Sequence, residues 1–385
     1  MKIVSVVGAR PNFMKIAPFI RAIAKHNQKK PANPIEHLLV HTGQHYDVRM
    51  SDAFFADLGI PAPDINLGVG SGTHAEQVGK TMIKFEKVLR KEKPDWVVVV
   101  GDVNATLACS VTAKKELIRC CHIEGGLRSG DMTMPEEINR LVTDRLSDLL
   151  LVPDEISMGN LRAEGVAESG MVLVGNIMID TLDANLKAAK KLKVLDIISD
   201  NFNHEAFAGT IKEFGHDDQF ALITLHRPSN VDDKKILTAL TEFFTKKITR
   251  EMKVLWPIHP RTEKNMRKFG LWEAVSDNSD VFILHPTSYR ETLKLNSMAR
   301  IVLTDSGGLQ EECTVLGTPC LTLRNNTERP VTLREHNGAS VLVGNDVKKI
   351  EKEFRKMLTM ERRPFRPPLW DGKTAERCVK ELINF

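Results

Sequence analysis

No stretch of this chain approaches the roughly 20 consecutive apolar residues that a membrane-crossing helix needs. The opening run, MKIVSVVGARP, breaks at Gly-Ala-Arg-Pro and is too short for a secretory leader. Cysteine is sparse, six in 385 residues, and no pair is spaced Cys-x-x-Cys. Cys120 and Cys121 adjoin, and neighbours on a strand point to opposite faces, so neither a disulfide framework nor a zinc site is indicated. Reduced, buried thiols in a cytoplasmic protein fit this usage. Strong charge imbalance is also missing. The net charge is +4, with Lys and Arg scattered along solvated helix faces rather than gathered in a basic stripe. That excludes nucleic acid as the expected partner. Two nucleotide-binding signatures are absent as well. GARPNFMK is not the Gly-x-Gly-x-x-Gly dinucleotide fingerprint. GSGTHAEQVGKT (70–81) places His74 where a P-loop requires its first glycine.

What remains is ordinary globular composition, 42% apolar and 27% charged, with length for two domains. Short apolar runs alternate with helical patterns. KIVSVV, EHLLVHT, WVVVVGD, RCCHIEG and DLLLVP read as strands in the first half. FALITLH, KVLWPIH, VFILHP, RIVLTD and PCLTLR repeat the arrangement in the second. Strand–helix alternation argues parallel sheets joined by right-handed crossovers. The lysine-rich stretch after VGNIMIDTL suggests a boundary near residue 180. The expected fold class is α/β, two doubly wound parallel-sheet domains facing a central cleft, spanning 1–178 and 179–369.

Polar residues return at strand ends in both halves. Arg10 follows KIVSVV, Asp102 ends WVVVVG, and Glu124 ends RCCHI; His226, His259, His285 and the pair Asp305–Ser306 end strands in the second half. Ligands of open parallel sheets bind outside the carboxyl ends of the strands, so these residues are site candidates. TDSGGLQEE (304–312) follows a strand and precedes a helix that stops near Gly317. Ser306, Gly307 and Gly308 then form a helix N-terminus whose free N–H groups suit a phosphate, and Glu312 one turn in suits ribose hydroxyls. A serine cap is the bland alternative. HIEGGLRSGDMTMPEEINR (122–140) crowds acids and arginines beside a glycine turn. There Thr133 to Glu136 reads as a capping box, Ile138, Leu141, Val142 and Leu149 as a helical apolar stripe, and Glu136 with Arg140 as a helix pair. Glu124 and Arg128 are left over, and point to function.

GARPNFMKIAP, HTGQHYD, GDVNAT, HIEGGLRSGD, MPEEINR, LHRPSN, DSGGLQEE and TERP occur in this order across the chain. Together they resemble the non-hydrolysing UDP-N-acetylglucosamine 2-epimerases. The resemblance implies a GT-B fold of two Rossmann-like domains, with the last helix, about 370–385, returning to the first. It implies that Ser306, Gly307 and Gly308 bind the diphosphate of a UDP-sugar, Glu312 the ribose and Arg329 the nucleotide end, with Arg10 and Lys15 meeting it from the first domain. Asp102, Glu124 and Glu136 correspond to acid/base carboxylates, Arg140 to a supporting cation, and His226 to the histidine beside the phosphates.

The implied chemistry explains those groups. The C2 hydrogen of the sugar is not beside a carbonyl, so breaking the anomeric C–O bond must make it removable. UDP leaves to give a 2-acetamidoglucal and returns with the proton on the opposite face. Inversion needs an acid and a base on opposite faces. The route requires no redox cofactor and no metal. A homodimer is implied, as is, from many bacterial members, a second UDP-N-acetylglucosamine acting as activator; Gln44 and His259 match part of that site, while THAEQ holds no match for its arginine. The chain departs from the family in HRPSN, where Ser229 replaces a glutamate, and in PTSYRET near the expected uracil position. The same motifs occur in enzymes acting on UDP-2,3-diacetamido-glucuronate and in hydrolysing relatives.

Overall fold

The computed structural model describes residues 1–43, 60–203, 214–215 and 218–385. The chain divides into two compact units, Met1–Asp183 with Pro367–Phe385, and Ala184–Arg366.

The first unit is built on a seven-stranded sheet, in the order β3-β2-β1-β4-β5-β6-β7, every neighbour parallel. Its strands are β1 (Lys2–Val7), β2 (Glu36–His41), β3 (Ile65–Asn66), β4 (Trp96–Val100), β5 (Arg119–Ile123), β6 (Leu149–Val152) and β7 (Met171–Leu173). The all-apolar run of β4 is buried throughout, as a strand covered on both faces by helices must be. Order reverses between β1 and β4, so the switch point lies where Gly8 and Gly101 leave the sheet. The final helix, Thr374–Asn384, packs on the helix Arg10–Gln28. Asp180 accepts from the N–H groups of Thr374 and Ala375, satisfying donors that a helix start leaves open. Trp370, buried, donates from its indole nitrogen to the Pro153 carbonyl at 3.0 Å.

The second unit carries a six-stranded parallel sheet, ordered β10-β9-β8-β11-β12-β13. These are β8 (Phe220–Thr224), β9 (Lys253–Pro257), β10 (Val281–Leu284), β11 (Ile301–Thr304), β12 (Cys320–Thr322) and β13 (Ser340–Leu342). Alternation sorts β8 between two cores. Ala221 and Ile223 join Trp256, Phe243 and Phe354 on one face; Phe220 and Leu222 join Phe282, Leu295 and Cys313 on the other. Here the switch point falls between β8 and β11.

Two local expectations fail. The helix Pro135–Leu146 is capped by Met134 without a side-chain bond, and the Thr133 hydroxyl turns to Asp131 at 2.6 Å, so there is no capping box. Its apolar stripe is not the buried face either: Ile138 is 44% exposed, and the buried positions are Glu137, Asn139, Arg140, Thr143 and Asp144. The decoy 70–81 resolves plainly, since Thr73 and Glu76 form a capping box and Gly79–Lys80 lie inside the helix His74–Glu92. All six cysteines are buried and unbridged.

Candidate active site

In the first unit, the turns after β4 and β5 adjoin because the strands pair in register from Trp96↔Arg119 to Val100↔Ile123. Gly101 leaves β4 at φ +69 and Glu124 leaves β5 at φ +75. A glutamate in the left-handed region carries backbone strain that glycine would not, a mark of a constrained site. Glu124 is buried, and its Oε2 lies 2.5 Å from Lys15 Nζ. Its Oε1 is buried with no hydrogen-bond partner among the described residues. A Cβ added to Gly101 would come within 3.0 Å of Lys15 Nζ and 3.7 Å of Glu124 Oε2. Glycine at 101 is what lets the ammonium and carboxylate close over that turn. Asn12 braces the other side, its amide donating to the Val100 carbonyl and its Oδ1 accepting from Gly8 and Ala9. Arg10 opens its helix, but its side chain lies outside the described residues.

Asp102 is 23% exposed and meets Arg140 Nη1 at 2.5 Å. The expected Glu136–Arg140 pair is replaced by another. Arg140 binds Glu137, three residues back, through Nε at 3.0 Å and Nη2 at 2.5 Å. Glu137 also takes the N–H groups of Ser129 and Gly130. Burial alone would raise its carboxyl; those N–H groups and Arg140 outweigh that and hold it below the usual range. Glu136 is half-buried beside this pair. Arg128 reaches Asp144 at 2.7 Å and Glu164 at 2.7 Å, so its partners are structural carboxylates.

In the second unit, His226 and Asp305 leave β8 and β11 at the switch point. His226 Nδ1 lies 2.8 Å from Asp305 Oδ1, with the His226 side chain 41% exposed and Asp305 fully buried. Asp305 also accepts from the His226, Arg227 and Asn230 nitrogens. Burial would raise its carboxyl, but His226 and these donors hold it low. Ser306 precedes the helix Gly307–Leu316, which ends at left-handed Gly317. The Ser306 side chain makes no cap bond, so the serine-cap reading does not hold. A Cβ on Gly307 would lie 2.7 Å from both Arg329 Nη1 and Glu328 Oε1. Arg329 is buried against that terminus, bound to Glu311 at 2.7 Å and to Glu328, which also pairs with Arg324 at 2.7 Å. Burial pushes the Glu312 carboxyl up to about 7, with Tyr289 and Asn296 beside it opposing the rise. His259 stacks near His226, ring centroids 5.7 Å apart, and caps the next helix through its ring. Gln44 lies outside the described residues.

Sequence reasoning missed Glu137, Asp144, His122 and Glu328. Their signal was weak: each is a polar residue inside a strand, a helix or a motif whose neighbour looked the better candidate.

Two Rossmann-like parallel-sheet units, each presenting polar groups at its switch point and one a glycine-rich helix start, define a nucleotide-binding α/β protein of GT-B type. The UDP-N-acetylglucosamine 2-epimerase family profile matches residues 27–383, and the chain belongs to that family. It is 43% identical over 383 residues to the UDP-N-acetylglucosamine 2-epimerase of Methanocaldococcus jannaschii, covering 99% of each chain. A crystal structure of the M. jannaschii enzyme in complex with UDP-GlcNAc and UDP matches at TM-score 0.87 and 41% identity, over 100% of both chains. A UDP-2,3-diacetamido-2,3-dideoxy-D-glucuronate 2-epimerase from Pseudomonas aeruginosa is 38% identical over 89% of this chain and 88% of its own.

Proposed function

We propose that the protein is a non-hydrolysing epimerase that interconverts UDP-N-acetylglucosamine and UDP-N-acetylmannosamine. Glu124 carries the reading: a buried carboxylate on strained backbone, paired with Lys15 through one oxygen, has its other oxygen available for proton transfer. In the forward direction the C1–O bond breaks, its electron pair leaves with UDP, a carboxylate takes the C2 proton, and C1=C2 forms. In the return, a proton from the acid is delivered to the other face of C2, the C1=C2 electron pair forms the new C–H bond, and the UDP oxygen re-bonds to C1. Asp102, Glu124 and Glu136 supply the acid and base, with Arg140 fixing Asp102. The start of Gly307–Leu316, with Arg329 against it, holds the diphosphate, and His226 supports the departing charge. Glu312 takes the ribose. A homodimer, and an activating second UDP-sugar beside His259, belong to the same reading. A phosphorus NMR time course tests it. The two UDP-sugars should equilibrate without net UDP, whereas stoichiometric UDP would mean hydrolysis. The diacetamido-glucuronate substrate is the second reading, favoured by the Pseudomonas relative, and the same assay with that sugar decides it.

A further inference from the structure

A neutral histidine offers one donor and one acceptor nitrogen. His122, fully buried in β5 two residues before Glu124, is not placed for that role. Its Nε2 lies 2.8 Å from the Gly101 carbonyl, which can only accept. Its Nδ1 lies 2.6 Å from Asp144 Oδ1. Asp144 Oδ2 accepts from the Gly126 N–H at 2.9 Å and from Arg128 at 2.7 Å. Burial would raise the Asp144 carboxyl, but His122, Arg128 and Gly126 together outweigh it and keep it an anion. Both ring nitrogens therefore face acceptors.

We infer that His122, with a hydrogen on each ring nitrogen and Asp144 as its counter-ion, is the positioning residue that locks the Asp102 turn to the Glu124 turn. One end of the brace fixes the Gly101 carbonyl, immediately before Asp102. The other fixes the Gly126 N–H, two residues after Glu124. Asp144 shares its helix with Arg140, so the cation that meets Asp102 is set by the same element. The brace touches no reacting atom and acts through the carboxylates, so it rests on the proton-transfer roles proposed above.

Nitrogen-15 NMR of histidine-labelled full-length protein tests the ring, with the His122 signal identified by its loss in His122→Gln. At pH 7.5 both His122 nitrogens should show N–H-type shifts; one pyridine-type nitrogen overturns the inference. Kinetics test the role. His122→Gln and Asp144→Asn should each lower kcat on the order of 100-fold, as misplaced groups do. UDP affinity should stay within about twofold, and the double variant should be no worse than the poorer single one. Parallel loss of UDP affinity, or multiplying losses in the double variant, would mean a general folding role and would also overturn the inference. If His122→Gln does not fold, Asp144→Asn supplies the kinetics and its ring spectrum identifies the signal. If the wild-type protein fails to epimerise, the functional reading falls, while ring spectrum and UDP affinity still report on the brace.

Discussion

Glu124 and Glu312 are both buried glutamates, yet their surroundings assign them different duties. Glu124 has Lys15 at 2.5 Å as counter-ion, while Glu312 has the Glu311 carboxylate as its neighbour in sequence. Glu124→Gln and Asp102→Asn should therefore cut turnover by orders of magnitude with UDP affinity little changed, which steady-state rates and calorimetric UDP titrations would separate. Glu312 gives a stability prediction. In the unfolded chain it ionises near 4.5, in the folded protein near 7. Below about pH 4.5 both states hold the proton, and the folded state bears no penalty. As pH rises towards 7 the unfolded chain ionises first and stability falls, by on the order of 3 kcal/mol once both are ionised. Glu312→Gln should flatten that part of the profile and raise the urea midpoint at pH 8 relative to wild type. The strand-end positions of Asp102, Glu124 and Ser306 were legible because polar residues at the ends of apolar runs stand out. Glu137 was not. Spacing allows Arg140 to pair with either Glu136 or Glu137, and the choice is made by the Ser129–Gly130 N–H groups doubling back, which local pattern does not encode.

At the scale of elements, two glycines bear the predictions. Gly307 begins the helix proposed above to hold the diphosphate, and its missing Cβ leaves room for Arg329 and Glu328. Gly307→Ala should weaken UDP binding about tenfold, near 1.4 kcal/mol, by displacing that pair. Gly126 sits at φ +86 with the Ser157 carbonyl oxygen 2.5 Å from where a Cβ would be. Gly126→Ala should cost about 1–3 kcal/mol, seen as a lowered denaturant midpoint. The central strands were readable as uninterrupted apolar runs. The short edge strands β3, β7 and β13 were not, although β12, also three residues long, was read from PCLTLR. The helix Pro135–Leu146 misled for a physical reason: its inward face is paired charge rather than hydrocarbon, so a hydrophobic stripe selects the wrong side.

On the whole-molecule scale, the chain builds the first unit, passes through the second, and returns to the first with Pro367–Phe385. Trp370 anchors that return, buried and bonded to Pro153. Trp370→Ala should cost about 3–5 kcal/mol by removing a large buried ring, measured as a drop in Tm of the first unit's transition. The parallel two-unit plan was legible because strand–helix alternation permits few topologies. The function claimed for it reduces to one event, removal of the C2 proton as UDP leaves. Incubation with UDP-N-acetylglucosamine in D2O, followed by proton NMR of both epimers, tests that event directly. The account predicts deuterium at C2 of both sugars as they equilibrate. Epimerisation with the C2 hydrogen retained, or folded protein that binds UDP yet exchanges no hydrogen at C2, would contradict it.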